Sequence, residues 1–96
     1  MINVSVSSVF ELAKALGGNK TDIELAGGAD ITALLDCLSE KSGGEAGALL
    51  YSENGAFKDE EFSIMINGRN VFAYNGLKQA LNDGDDVLIL PIVGGG

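Results

Sequence analysis

The stretch Asn82-Asp83-Gly84-Asp85-Asp86-Val87-Leu88-Ile89-Leu90-Pro91-Ile92-Val93-Gly94-Gly95-Gly96 decides how the remaining residues are read. Asn82 to Asp85 spell a turn, since Asn and Asp bond their own backbone and Gly accepts a positive φ. Val87 to Val93 then reads as a strand that is apolar at both parities. Successive strand side chains face opposite sides. With Val87 and Ile89 turned to a core, Leu88 and Leu90 face outward, where a polar residue is expected. Such a strand is either covered on both faces by its own chain or offers an apolar patch to a partner.

The other strands favour the patch. Ile2, Val4 and Val6 alternate with Asn3, Ser5 and Ser7, and Thr21 to Ala26 alternates in the same way, with Ile23 and Leu25 inward and Asp22 and Glu24 outward. Phe62, Ile64 and Ile66 against Ser63, Met65 and Asn67 make a third strand. Between them lie helical stripes. Ser8 to Glu11 fits a capping box, followed by Val9, Leu12, Ala13 and Leu16, with Gly17-Gly18 as a stop. Asp30 is an N-cap for Ile31, Leu34, Leu35 and Leu38, with Lys41 near the end and Gly43-Gly44 as the stop. The predicted helices can cover one sheet face, and the polar positions mark the other as open.

The middle is less legible. Gly43 to Glu61 carries no clear period, and an unstructured run of that length is unusual in a compact domain, so Leu49, Leu50 and Tyr51 are expected to form a docked turn. Asn67-Gly68 signals a type I′ turn, with Val71, Phe72 and Tyr74 returning as a short strand. No repeat or linker divides the chain, which reads as one domain over 1–93 with a flexible glycine tail over 94–96.

Composition removes whole function classes. In 96 residues, six Lys+Arg against fourteen Asp+Glu leave a net charge of −8. This argues against nucleic acid, whose affinity comes from cations on phosphates, and against an anionic membrane surface. The chain has no histidine, the commonest general base and metal ligand. Its single cysteine, Cys37, forms no internal disulfide or Cys-rich zinc site and suits a reducing cytoplasm. Val87 to Val93 is far short of the roughly 20 residues that span a bilayer, and no basic segment ahead of an apolar run marks a signal peptide.

Candidate chemistry thins out accordingly. Gly17-Gly18-Asn19-Lys20-Thr21 lacks the contiguous Gly-Lys-Thr of a phosphate loop and reads as a helix end. Asp83, Asp85 and Asp86 lack the calcium-loop spacing. Cys37, beside Leu34 and Leu38, reads as a small core hydrophobe, and Arg69 and Tyr74 have no catalytic companion. Gly94-Gly95-Gly96 stands apart by position. It follows a strand stiffened by Pro91, reaches roughly 10 Å at about 3.3–3.6 Å per residue, and has no β-carbons to obstruct a narrow channel. The group it delivers is the Gly96 carboxylate, ionised at neutral pH and a poor electrophile, which needs activation by another protein.

Asn82-Asp83-Gly84-Asp85-Asp86-Val87 followed by Pro91-Ile92-Val93-Gly94-Gly95-Gly96 resembles the ending of the ubiquitin-like sulfur carriers, and most closely that of the small subunits of molybdopterin synthase. Asp30-Ile31-Thr32-Ala33-Leu34-Leu35 and Ile66-Asn67-Gly68 match in order and spacing, so the similarity extends over nearly the whole chain. The resemblance implies an α+β, β-grasp (ubiquitin-like) fold: a mixed sheet of four to five strands, two helices packed on one face, and an exposed tail. A strand–helix–strand opening alone suggests a right-handed parallel crossover; the family instead pairs its first two strands antiparallel, and that arrangement is expected here.

The resemblance further implies that Gly96 is adenylated with ATP by a ubiquitin-activating-like enzyme and converted to a thiocarboxylate with sulfur from a donor protein. Sulfur then passes to a pterin precursor while Gly94, Gly95 and Gly96 thread the large subunit's active site. Leu88, Leu90, Pro91 and Ile92 form the partner surface. The chain itself is then a carrier, not an enzyme, and binds no cofactor or metal. Relatives usually carry Pro-Pro where this chain has Pro91-Ile92, an arginine near Glu11-Leu12, and a non-glycine small residue at Gly94; none of these departures touches the diglycine. Other readings within the family are a protein modifier joined through Gly96 to lysines and a carrier for thiamine or cysteine synthesis; a reading from a different class is a plain interaction domain with an inert tail.

Overall fold

The computed structural model describes residues 1–92; Val93, Gly94, Gly95 and Gly96, and with them the expected domain boundary and tail, lie outside the described residues. The chain runs β1 (Ile2–Ser8), α1 (Phe10–Leu16), β2 (Lys20–Leu25), α2 (Ile31–Lys41), α3 (Glu45–Leu50), β3 (Phe62–Ile66), β4 (Arg69–Asn70) and β5 (Asp86–Pro91), with two short 3-10 turns between β4 and β5. The sheet order is β2-β1-β5-β3-β4. β1 pairs antiparallel with β2 and parallel with β5, and β3 pairs antiparallel with β5 and with β4. This is the β-grasp arrangement, and the antiparallel β1–β2 pairing is the one the family resemblance implied. The seven residues of α1 return the chain to the neighbouring position on the same edge.

One face of the sheet holds the core. Val4 and Val6 of β1, Ile23 and Leu25 of β2, Ile64 of β3, and Val87 and Ile89 of β5 are all buried, together with Ile31, Leu34, Leu35 and Leu38 of α2. The parity of the buried strand residues is uniform, so the helices cover a single side. α2 begins as its sequence dictates: the Asp30 carboxylate accepts from the Ala33 N–H at 2.9 Å. Cys37 is half-buried against this core.

Three local expectations give way. Ser8 caps nothing. Pairing with Ile89 extends β1 through Ser8, so its side chain is buried and its hydroxyl is unbonded. Val9 takes the cap position instead, and Glu11 pairs with Lys14 at 3.4 Å. The docked turn at Leu49-Leu50-Tyr51 is the end of a third helix, α3, which buries Ala46 and Leu50. Its glycine has a packing cause, since a β-carbon on Gly47 would collide with the Ser39 hydroxyl of α2. Finally, Val71 and Phe72 do not continue a strand. After the two residues of β4, the Asn70 carboxamide oxygen accepts from the Phe72 N–H at 2.9 Å and turns the chain into a 3-10 segment, Val71–Ala73, with Tyr74 just after it. The Asn67-Gly68 turn itself is as expected, with φ of 50° and 85°.

Candidate functional site

β5 is the central strand, and its register places every candidate residue. Val87 and Ile89 face the core. On the opposite face Leu88 lies between Ser7 of β1 and Met65 of β3, and Leu90 lies beside Ser63. Leu88 and Leu90 are half-buried, and Ile92, next in the same parity, is 46% exposed. Met65, Leu88, Leu90 and Ile92 therefore line up as an apolar stripe on the side away from the helices. Asn3, Ser5, Asp22 and Glu24 share that face and frame the stripe, with the Ser5 hydroxyl donating to Asp22 at 3.1 Å. Pro91 has the other parity and pairs with Phe62. The structure thus brings three of the four expected interface residues into one line and sets Pro91 on the helical side. Gly94, Gly95 and Gly96 lie outside the described residues.

The start of β5 is held by a polar net that sequence reading missed. The Asn67 carboxamide donates to Asp85 at 3.0 Å and accepts from the Asp86 N–H at 2.9 Å, while the Asn67 N–H donates to the Asp86 carbonyl at 2.8 Å. Asp85, 8% exposed, also accepts from the Asn82 N–H at 2.8 Å. Toward β1, Asp83 accepts from the Asn3 N–H at 2.7 Å, and the Gly84 N–H donates to the Asn3 carbonyl at 2.7 Å. Both turn signals were visible in sequence; nothing there joined them. Together they fix β5 lengthwise against both neighbours, and so fix where the chain leaves the sheet. At that exit the Ile92 N–H donates to the Glu61 carbonyl at 2.7 Å.

Arg69 and Tyr74 do find company: with Gln79, Asn82 and Asp85 they line a cleft of about 450 Å³ at the turn end, away from the exit. Tyr51 packs edge-on against Phe57, and burial, with the Asp36 carboxylate adding to it, raises its phenol above the usual 10.0. Among the described residues no group of three potential ligands is arranged to hold a metal ion, and no helix is long and apolar enough to cross a membrane.

This geometry has known counterparts. The small archaeal modifier protein 1 from Methanosarcina acetivorans superposes with a TM-score of 0.80 at 27% identity, over 100% of this chain and 98% of that one. A candidate molybdopterin converting factor, subunit 1, from Pyrococcus furiosus gives 0.75 at 26% identity, over 97% and 100%. A chain of the BexX/CysO complex from Amycolatopsis orientalis gives 0.70 at 27% identity, over 97% and 99%. No curated protein matches the chain. The ThiS family model matches residues 8–96, from the end of β1 through the final glycine. With a central strand that carries an apolar stripe toward a glycine ending, the chain belongs to the ThiS family, the ubiquitin-like sulfur carriers and modifiers.

Proposed function

We propose that this chain is a sulfur carrier acting in molybdenum or tungsten cofactor synthesis, as the small subunit of a molybdopterin synthase. The observation that carries this reading is the Leu88–Leu90–Ile92 stripe. It lies on the strand that leads into Gly94-Gly95-Gly96 and is framed by polar groups, as expected of a face that a partner covers. The likeness to the Pyrococcus furiosus subunit supports the pathway.

In this reading the Gly96 carboxylate attacks the α-phosphate of ATP on a separate adenylating enzyme, and pyrophosphate leaves. A sulfide equivalent from a sulfur-donor protein then displaces AMP, giving the thiocarboxylate. Activation is needed because an ionised carboxylate resists nucleophiles, whereas the acyl adenylate has AMP as a leaving group. Inside the large subunit the terminal sulfur attacks the pterin precursor, and water returns the carbonyl to the carboxylate. Gly94 and Gly95 thread the channel, while Leu88, Leu90 and Ile92, with Pro91 stiffening the strand behind them, hold the partner. ATP is consumed on the adenylating enzyme, and this chain holds no cofactor.

Intact-mass spectrometry of protein from its host tests the proposal: one terminal oxygen is expected to be replaced by sulfur. A carboxylate alone, with adenylating enzyme and sulfur donor supplied, would refute it. The likeness to a small archaeal modifier protein supports a second reading, conjugation of Gly96 to lysines. Gly-Gly remnants on lysines of cellular proteins distinguish that outcome. Deletion of Gly96 abolishes either activity and leaves the fold intact.

A further inference from the structure

The cleft beside β4 is a part of the surface that neither the core nor the stripe explains. Its volume of about 450 Å³ falls within the range of small-molecule sites. The residues around it are held in place. Asn67 is tied to Asp85 and to the Asp86 N–H. The run from Gln79 to Leu81 is laid against the start of α2: the Ile31 N–H donates to the Gln79 carbonyl at 3.1 Å, the Leu81 N–H donates to the Ala29 carbonyl at 2.9 Å, and Asp30 and Ala80 form an isolated antiparallel bridge. A ligand therefore orders little that is not already ordered.

The lining defines the ligand. Buried Val71 and half-buried Ile66 supply apolar surface. Arg69 and Tyr74 are both exposed there, and they are of the residue types that dominate binding hot spots. Among the described residues the Arg69 guanidinium has no salt-bridge partner. Asp85, the one carboxylate among the described lining residues, has both oxygens engaged, by the Asn67 carboxamide at 3.0 Å and the Asn82 N–H at 2.8 Å. The cleft thus sets one uncommitted cation beside an apolar surface and an aromatic ring. A guanidinium holds a carboxylate through two parallel N–H···O bonds, and a tyrosine ring packs against a flat aromatic body. A dianionic phosphate fits less well, because the buried Asp85 lies at the cleft and the whole chain carries a net charge of −8.

We propose that this cleft binds an aromatic monocarboxylate, with its carboxylate on Arg69 and its ring against Tyr74 and the Ile66–Val71 surface. The site lies at the opposite end of β5 from the exit and is independent of the carrier reading. Titration of the full chain with N-acetylphenylalanine, followed through its backbone amide shifts by heteronuclear NMR, tests it. Saturable shifts are expected at Arg69, Tyr74, Gln79 and Asn82, with a Kd of about 1 mM for a ligand of that size. N-acetylphenylalaninamide, which lacks the charge, is expected to bind about tenfold more weakly, and phenyl phosphate no more tightly than the acid. Arg69→Ala brings the acid and the amide to the same Kd, whereas Arg69→Lys keeps part of the difference. Tyr74→Ala weakens both ligands. Both side chains are exposed, so these variants fold. N-acetyl-glycylglycylphenylalanine separates the sources: tighter binding than the simple acid assigns the ligand to the end of a polypeptide, and equal binding assigns it to a free acid. Shifts that never saturate, equal binding of acid and amide to the unaltered chain, or tighter binding of phenyl phosphate each overturn the proposal and leave the carrier reading standing.

Discussion

The two ends of β5 are built on opposite plans. At the turn end, Asn67, Asp83 and Asp85 tie the strand to β1 and β3 with hydrogen bonds, two of them to the Asp85 carboxylate, nine-tenths buried. At the exit end the ladder to β3 runs to the Phe62–Pro91 pair and the Ile92 N–H donates to the Glu61 carbonyl, while on the open face Leu90 is half-buried and Ile92 exposed. The first end spends its polar groups inside the molecule; the second leaves apolar surface unspent. Position along one strand thus separates what holds the fold from what is available to another protein.

The sharpest way to break the contrast is at Asp85. Asp85→Ala strands the Asn82 N–H and the Asn67 carboxamide and is expected to cost about 2–3 kcal/mol in urea unfolding, in line with lost bonds to a buried charged group. Asn67→Ala should cost nearly as much, and Asn67→Gly somewhat less, because glycine accepts the positive φ. Leu90→Ser at the other end should cost about 1 kcal/mol or less, since the side chain is only half-buried. The same variant should bind the large subunit about tenfold more weakly. Equal destabilisation by Leu90→Ser and Asp85→Ala would erase the distinction.

Legibility followed the same division. β1, β2, β3 and α2 were readable because each rests on a local pattern: alternation, as in Ile2–Ser7, or the 3.6-residue stripe of Ile31, Leu34, Leu35 and Leu38. The polar net was not, because Asn67 and Asp85 are eighteen positions apart and each alone reads as a turn residue. α3 was hidden by Gly43, Gly44 and Gly47, which resemble breakers. A β-carbon at Gly47 would force the Ser39 side chain of α2 to shift. Ser8 misled for the converse reason: a local capping motif lost to long-range pairing with β5. Phe10 carried no signal at all, since it stands off the stripe of Val9, Leu12, Ala13 and Leu16 and nothing in the sequence marks its φ of 55°.

The smallest expected effect is a reference point away from both ends. Burial, assisted by Asp36, raises the Tyr51 phenol above 10.0. The folded state therefore holds this proton to higher pH than the unfolded state. Stability from this group is complete below about pH 10 and declines as pH rises through the folded value. A pH series of melting temperatures should show an alkaline decline that Tyr51→Phe reduces, while the separation between Asp85→Ala and Leu90→Ser stays constant from neutral pH to that point.

The middle strand of the sheet has one neighbour from the beginning of the chain and another from its second half. Without it, β1–β2 and β3–β4 are two hairpins with no backbone bond between them. A nascent chain therefore cannot close its sheet until the strand bearing the exit has been made and threaded between the other two. Folding and the presentation of the ending are one event, and an enzyme that grips the sheet face to reach the last residue would meet only completed molecules.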